Sequence, residues 1–333
     1  MDTAKRSFYL FSSGRLSRKD NSLAFISEDG QLRYIPVEIT DALYVYGQVD
    51  VNSAALDFLG SAHIPVHFFS YYGYYRGSFY PTEYLLAGEV LIAQVKHYLD
   101  LQQRLYIASE LLMAATHNIV RNLSYYNTRG MNLQQIIDEI EVLRNSLQAA
   151  DSVSRLMAAE GNIRDLYYGG FDSIMKENLP FGKRMRQPPG NEINALISFG
   201  NSLCYATTLG EIYRTPLNPT VSYLHEPSER RYSLALDLSE IFKPLLVDRV
   251  IFRMVNTHQL TTEDFESSMN GCYLKETGRR AFVTEYENKL KTTIQHRRLK
   301  RNVSYRSLIR LEAYKLVKHV LGEQQYEGLR LWF

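Results

Sequence analysis

The chain has 333 residues, 45% of them hydrophobic and 22% charged, and a formal net charge of +2. These values exclude a disordered chain and describe an ordinary globular protein, long enough for two domains with cores of their own. The opening run MDTAKRSFYLFSSGRLSRK has too short an apolar stretch before Arg15 for a signal peptide, and nowhere do 18 uninterrupted apolar residues occur, so a cytoplasmic protein without a membrane partner is expected.

From the N-terminus to about Phe79 the pattern is one of strands. Ser22 to Ser27 and Gln31 to Val37 flank Glu28-Asp29-Gly30, and an Asp-Gly between two β-rich runs predicts a hairpin. Leu43 to Tyr46 and Val66 to Phe69 read as further short strands, with a short helix over Ser53 to Leu59 between them. Tyr71, Tyr72, Tyr74 and Tyr75 beside Arg76 are suited to stacking on bases, and equally to covering a core edge or a subunit interface.

After Pro81 the character changes. Thr82 to Arg121 lacks proline, and Leu85, Leu86, Leu91, Val95, Leu99 and Leu105 are spaced as one long amphipathic helix or two in succession, with Pro81-Thr82-Glu83 as the start signal. The remainder reads as helices joined by loops near Asn127 to Gly130, Gly169 to Gly170, Phe181 to Gly190 and Pro216 to Glu229. The expected fold is therefore α+β, with a small β-rich domain at residues 1–80 and a larger all-α domain at residues 81–333. Pro244 must kink or restart the helix that contains Asp237. Cys204 and Cys272 are far apart and lack CxxC spacing, which predicts reduced, buried thiols.

Four residues of the helical part draw the chemistry together. In PTVSYLHEPSERRYSLALDLSEIFKP, His225 precedes a polar loop, after which Asp237 and Glu240 stand three residues apart and share a helix face. One nitrogen and one or two hard oxygen donors suit a divalent metal for phosphate chemistry. Asp237-Leu-Ser-Glu240 also fits a helix-capping pattern, and a lone histidine also serves as a structural hydrogen-bonding group. The fourth residue is Glu160 in RLMAAEGNIRDLYYGGF: if the run is helical, Leu156, Ile163 and Tyr167 place its carboxylate in the apolar stripe. A carboxylate so placed must meet a cation, either an Arg or Lys side chain or a metal.

The order of Glu160-Gly161, then RQPPGNEINALISFGNSL, then PTVSYLHE, then LALDLSEIFKPLLVDR resembles the family of CRISPR-associated protein one, the DNA integrase that captures new spacers. Val45 to Phe79 also follows the family pattern, so the resemblance covers nearly the whole chain. It implies that Glu160, His225 and Glu240 bind Mg²⁺ or Mn²⁺, that Asp237 is a second acid at the site, and that Lys243 stabilises developing charge. It further implies a homodimer formed through the N-terminal domain, CRISPR-associated protein two as partner, and double-stranded DNA with 3′-OH ends and CRISPR repeat DNA as substrates. The 3′-OH would attack a phosphodiester at a repeat border; water in its place would give nuclease activity. Ser222 replaces a glycine common in the family, which suggests that the loop needs no positive φ there, and Glu240 replaces a common Asp without removing a ligand group.

Charge tells more by location than by sum. Lys289 to His319 holds ten Lys and Arg against the single acid Glu312. A stripe of this kind attracts phosphates and includes Arg297, Arg298 and Arg301, although a solvated helix face accounts for it too. Nearer the expected metal site, Arg184, Arg186, Arg230 and Arg231 are candidate phosphate clamps. Asn194, in the family-like NAL element, is suited either to orienting a neighbour or to a packing hydrogen bond. A repair nuclease with the same ligands, and a DNA-binding scaffold in which Glu160 and Glu240 only make salt bridges, remain as alternative classes.

Overall fold

The computed structural model describes residues 5–82, 85, 87–175, 179–186, 188–227, 232–268, 271–296 and 299–332. The chain divides into two compact units, Met1–Leu86 and Ala87–Phe333.

The first unit holds β1 (Arg6–Leu10), β2 (Gly14–Lys19), β3 (Ser22–Ser27), β4 (Leu32–Pro36), β5 (Thr40–Val45), β6 (Val49–Val51), α1 (Ser53–Ser61), β7 (Val66–Phe69) and β8 (Tyr75–Phe79). Two four-stranded sheets result, ordered β1-β5-β7-β8 and β4-β3-β2-β6. The predicted hairpin joins β3 to β4: Gly30 takes φ +83°, a conformation that favours glycine, and its N–H donates to Ser27 O at 2.8 Å. Leu16, Leu23, Ile35, Leu43, Val45, Leu59 and Val66 form one buried core. Tyr71 and Tyr72 are exposed, whereas Tyr75 O–H is hydrogen bonded to Ser78.

The second unit is mainly helical: α2 (Gly88–Leu99), α3 (Leu101–Asn127), α4 (Gln134–Ser146), α5 (Val153–Gly169), α6 (Phe171–Ile174), α7 (Glu192–Ile212), α8 (Ser233–Lys243), α9 (Arg249–Asn256), α10 (Glu276–Lys291) and α11 (Tyr305–Val320). To the expected all-α pattern it adds two short hairpins, β9 (Phe265–Ser268) with β10 (Gly271–Leu274), and β11 (Thr293–His296) with β12 (Arg301–Ser304). The run after Pro81 forms two helices, the first beginning at Gly88. The break between them is made by Asp100, whose carboxylate accepts from the N–H groups of Gln102 (2.9 Å) and Gln103 (3.1 Å) and so caps α3. Both cysteines are buried free thiols, and burial pushes Cys204 up to about 12.

Helices α7 and α8 are buried along almost their whole length; α7 is accordingly apolar on most sides, while α8 carries Asp237 and Glu240 into the interior. They pack on each other, and α3 packs on both α8 and α5. Pro244 does not end the helical path after α8. It opens a π turn, Pro244–Asp248, that runs on into α9. Asn118 and Asn122 of α3 reach across to donate to the carbonyls of Ile241 (3.1 Å) and Pro244 (2.7 Å), satisfying buried acceptors where the regular ladder is disturbed. Among the described residues no helix is long and apolar enough to cross a membrane.

Candidate metal centre

Three segments converge on the residues singled out above. Helix α5, capped by Ser152, carries Glu160 and, one turn later, Arg164. Leu156, Ile163 and Tyr167 are buried as the apolar stripe requires. Helix α8 carries Asp237, Glu240 and Lys243, and His225 stands in the connection between α7 and α8.

The cation demanded by Glu160 is Arg164. Its Nε donates to Glu160 Oε1 at 3.2 Å, and its Nη2 donates to Glu240 Oε2, so one guanidinium joins the carboxylates of α5 and α8. Lys243 Nζ holds the other oxygen of Glu240. Burial alone would raise the pKa of Glu240, but the Arg164 and Lys243 charges outweigh it and hold the carboxyl well below its usual range.

Asp237 has a different task from the one its sequence spacing suggests. It lies in the middle of α8, which starts at Ser233, and it does not cap the helix. Its fully buried carboxylate accepts the backbone N–H groups of Tyr223 (2.7 Å), Leu224 (2.9 Å) and His225 (2.9 Å), and also meets His225 Nδ1 at 2.8 Å. This one side chain shapes the loop and fixes the imidazole, leaving Nε2 as the ring nitrogen available to ligate. Burial lowers the His225 pKa, yet the Asp237 hydrogen bond and charge more than compensate, so the net shift is upward. Ser222 closes the same turn by donating to His225 O at 2.5 Å. As expected it needs no positive φ; outside glycine, the described residues with positive φ are Asp20, His63, His258 and Lys300.

A second clasp was not read from the sequence. Arg104 of α3 donates from Nε to Tyr223 O (3.0 Å) and from Nη2 to Glu226 Oε1 (2.6 Å), and Tyr98 O–H donates to Glu226 Oε2 (3.1 Å). Arg104 thus ties both ends of the His225 turn to α3, and Tyr98 adds a bond from α2. Asp248, at the end of the π turn, is another buried acid without a sequence signal: burial raises its pKa to about 6, and Tyr167 is hydrogen bonded to it. Arg164 did carry a signal, the i,i+4 carboxylate–arginine spacing in EGNIR.

Of the basic candidates, Arg184 is half-buried and anchors its own loop, donating to Asn194 Oδ1 (2.9 Å) and Ser198 Oγ (3.0 Å). Asn194 is fully buried and clamps that loop, accepting from Met185 N (2.8 Å) and donating to Lys183 O (2.9 Å). Arg186 and Arg301 are exposed, while Arg230, Arg231, Arg297 and Arg298 lie outside the described residues. Within the basic stripe, Arg306 pairs with Glu287 (2.9 Å) and Arg310 with the buried Glu211 (2.7 Å), so part of that charge is spent inside the protein.

The family model described as "CRISPR associated protein Cas1" matches residues 8–288. The chain belongs to the Cas1 family. It is 48% identical over 329 residues to the CRISPR-associated endonuclease Cas1 of Fusobacterium nucleatum, covering 99% of this chain and 97% of that protein. The structure of a Cas1 protein from Thermotoga maritima, 42% identical, superposes with a TM-score of 0.88 over 97% of this chain and 99% of that one. The fold also matches a casposase bound to integration product, with a TM-score of 0.85 at 20% identity over 97% of this chain and 92% of that one.

Two carboxylates and an imidazole are donor types that suit a hard divalent ion, and the Asp237–His225 bond is the outer support such a ligand normally has. Among the described residues no three His, Cys, Asp or Glu side chains stand together at ligating separation. Glu160 and Glu240 are instead closed on Arg164 and Lys243. The donors fit a metal chemically, and side-chain cations neutralise them here.

Proposed function

We propose that this Cas1 chain is a divalent-metal-dependent DNA integrase and endonuclease that inserts short DNA fragments into a CRISPR array. The observation that carries the reading is the meeting of Glu160 and Glu240 across Arg164, beside an imidazole fixed by Asp237. Glu160, Glu240 and His225 Nε2 would hold Mg²⁺ or Mn²⁺, which when bound polarises the scissile phosphate and lowers the pKa of the attacking hydroxyl. In the transfer, the incoming 3′ oxygen forms a new P–O bond as the existing one breaks, and the departing strand takes the proton. Asp237 keeps the His225 turn in place and holds the ring tautomer. Lys243, one turn beyond Glu240, supplies positive charge close to where phosphate charge develops. Exposed Arg186 and Arg301, with Arg230, Arg231, Arg297 and Arg298, are proposed DNA contacts. The protein would act as a homodimer with CRISPR-associated protein two, on double-stranded DNA with 3′-OH ends and on repeat DNA.

The deciding experiment follows the full-length protein on a labelled branched DNA that presents a 3′-OH beside a nicked junction, with Mn²⁺, with chelator, and with His225→Ala. Metal-dependent rejoining that the substitution abolishes is the expected result. Hydrolysis without rejoining would reassign the centre to a nuclease. Tight DNA binding without chemistry, in folded protein supplied with its partner, would reduce it to a scaffold.

A further inference from the structure

Among the described residues most half-buried cations pair with a carboxylate. Lys289, near the end of α10, is different. Its side chain is half-buried with Nζ 4.6 Å from the centre of the Tyr305 ring, and among the described residues no carboxylate pairs with it. Burial, and after it the like charges of Arg249 and Arg253 of α9, lower its pKa to about 8. The neighbouring acids are committed elsewhere: Glu285 pairs with Arg253 at 3.2 Å and Glu287 with Arg306 at 2.9 Å.

The walls around Lys289 are fixed. Arg249 Nε donates to Asn122 Oδ1 at 2.6 Å, and the same guanidinium is hydrogen bonded to the buried Tyr305 hydroxyl. Asn122 is itself held by Tyr167 O–H and Pro244 O, so Arg249 is braced against α3, α5 and the π turn. The Lys289 ammonium and the braced Arg249 guanidinium thus both lie on Tyr305, one over its ring and the other at its hydroxyl, and among the described residues no carboxylate pairs with either. Placing like charges together at a partly dehydrated position is costly, and an incoming oxyanion that accepts from both removes the cost.

We propose that Lys289 and Arg249, with Arg253 at the rim, form a phosphate-binding site that grips a backbone phosphate of nucleic acid, away from the Glu160–His225–Glu240 centre. This rests on the DNA-processing function proposed above and adds Lys289, at the start of the basic stripe, and two arginines of α9 to its DNA contacts. Arg306, Arg310 and Lys315 are satisfied by Glu287, Glu211 and Glu312; Lys289 is not.

The test uses the full chain in chelator, so that no chemistry intervenes, with Lys289→Gln, Lys289→Arg and the exposed control Lys291→Gln. Binding of a fluorescent DNA duplex is measured across a range of salt concentration. Loss of one phosphate contact lowers the slope of log K against log salt by about 0.9, which is roughly eightfold in affinity at 0.1 M salt. Lys289→Gln is expected to show that loss, Lys289→Arg to keep most of the affinity, and Lys291→Gln to change it far less. Equal effects of Lys289→Gln and Lys291→Gln, or no effect of either, would overturn the site. In a second arm, inorganic phosphate is titrated while the Lys289 ammonium is followed by NMR, and its pKa should climb. A climb with phosphate alongside unchanged DNA affinity in Lys289→Gln would overturn the nucleic-acid assignment in favour of a free-phosphate ligand. If wild-type protein failed to bind DNA, the function proposed above would fall, while the phosphate arm would still decide whether Lys289 holds an oxyanion.

Discussion

If a metal binds as proposed, Arg164 occupies its place between Glu160 and Glu240, and removing Arg164 should give two opposite results depending on metal. The side chains of Arg164, Glu160 and Glu240 are only 8%, 16% and 6% exposed. Arg164→Met keeps the aliphatic stem and deletes the charge. Breaking a buried ion pair by removing one partner costs about 3–5 kcal/mol; because Lys243 remains on Glu240, the lower end, about 3 kcal/mol, is expected. For a unit of this size each kcal/mol moves the midpoint by about 2–4 °C, so thermal unfolding in chelator should fall by roughly 6–12 °C. Adding Mn²⁺ should reverse the order of sensitivity. In the wild type an ion would have to displace Arg164 before meeting both carboxylates, whereas in Arg164→Met the gap between them is vacated and only Lys243, on Glu240, remains. A metal at a hundred times its Kd stabilises by about 2.7 kcal/mol, enough to recover most of the loss. Calorimetry with and without Mn²⁺ on wild type, Arg164→Met and Arg164→Met/Glu160→Gln measures all of this. The double variant should regain stability in chelator and lose the extra metal response, as expected for residues in one network. An unchanged midpoint for Arg164→Met in chelator, or an equal Mn²⁺ gain in wild type and variant, would refute the reasoning.

The raised pKa of His225 gives the metal-free protein a pH dependence of definite sign. The imidazolium–Asp237 interaction contributes its full stability below the unfolded value near 6.5 and is lost as pH rises through the higher folded value. Asp248, raised to about 6, acts in the same direction at lower pH, so the difference between wild type and His225→Gln above pH 6 isolates the histidine. Midpoints in chelator should converge between the two proteins as pH rises toward 8.5; a constant gap would contradict the assignment. Metal binding needs the neutral ring, so the Mn²⁺-induced rise in midpoint should grow with pH in the wild type. A packing prediction comes from Gly200 of α7, where a methyl group would run into Val247 of the π turn and Phe282 of α10. Gly200→Ala should destabilise by about 1–3 kcal/mol through overpacking, read as a lower denaturant midpoint at unchanged slope.

What could be read from the sequence, and what could not, divides along the distance between partners. The β3–β4 hairpin was legible because Asp29-Gly30 acts locally, through a backbone conformation that few residues other than glycine adopt. The break at Asp100 was not, because a single capping carboxylate in LDLQQ leaves the apolar spacing on both sides intact. Glu160 was legible as an acid in need of a cation, since its apolar neighbours on α5 are one and two turns away. That the same arginine would also bind Glu240, 76 residues further on, required the packing of α8. Asp237 failed as a cap for a related reason: the spacing to Glu240 is that of a capping box, but the helix begins at Ser233 and turns the carboxylate inward, onto the backbone of the His225 loop.

The resulting balance of charge explains how such a centre exists inside a helical core at all. Glu160 and Glu240 bring two negative charges, and Arg164 and Lys243 bring two positive ones, all on two helices and within direct contact. The set is neutral and can be buried without a metal, which two unpaired carboxylates could not. Asp237 stands outside this count. Its charge is spread over three backbone N–H groups and the ring of His225, so it holds the loop whether or not the ring is protonated. The fold therefore keeps the shape of the centre separate from its charge: Asp237 and Arg104 fix where His225 stands, while Arg164 and Lys243 neutralise Glu160 and Glu240.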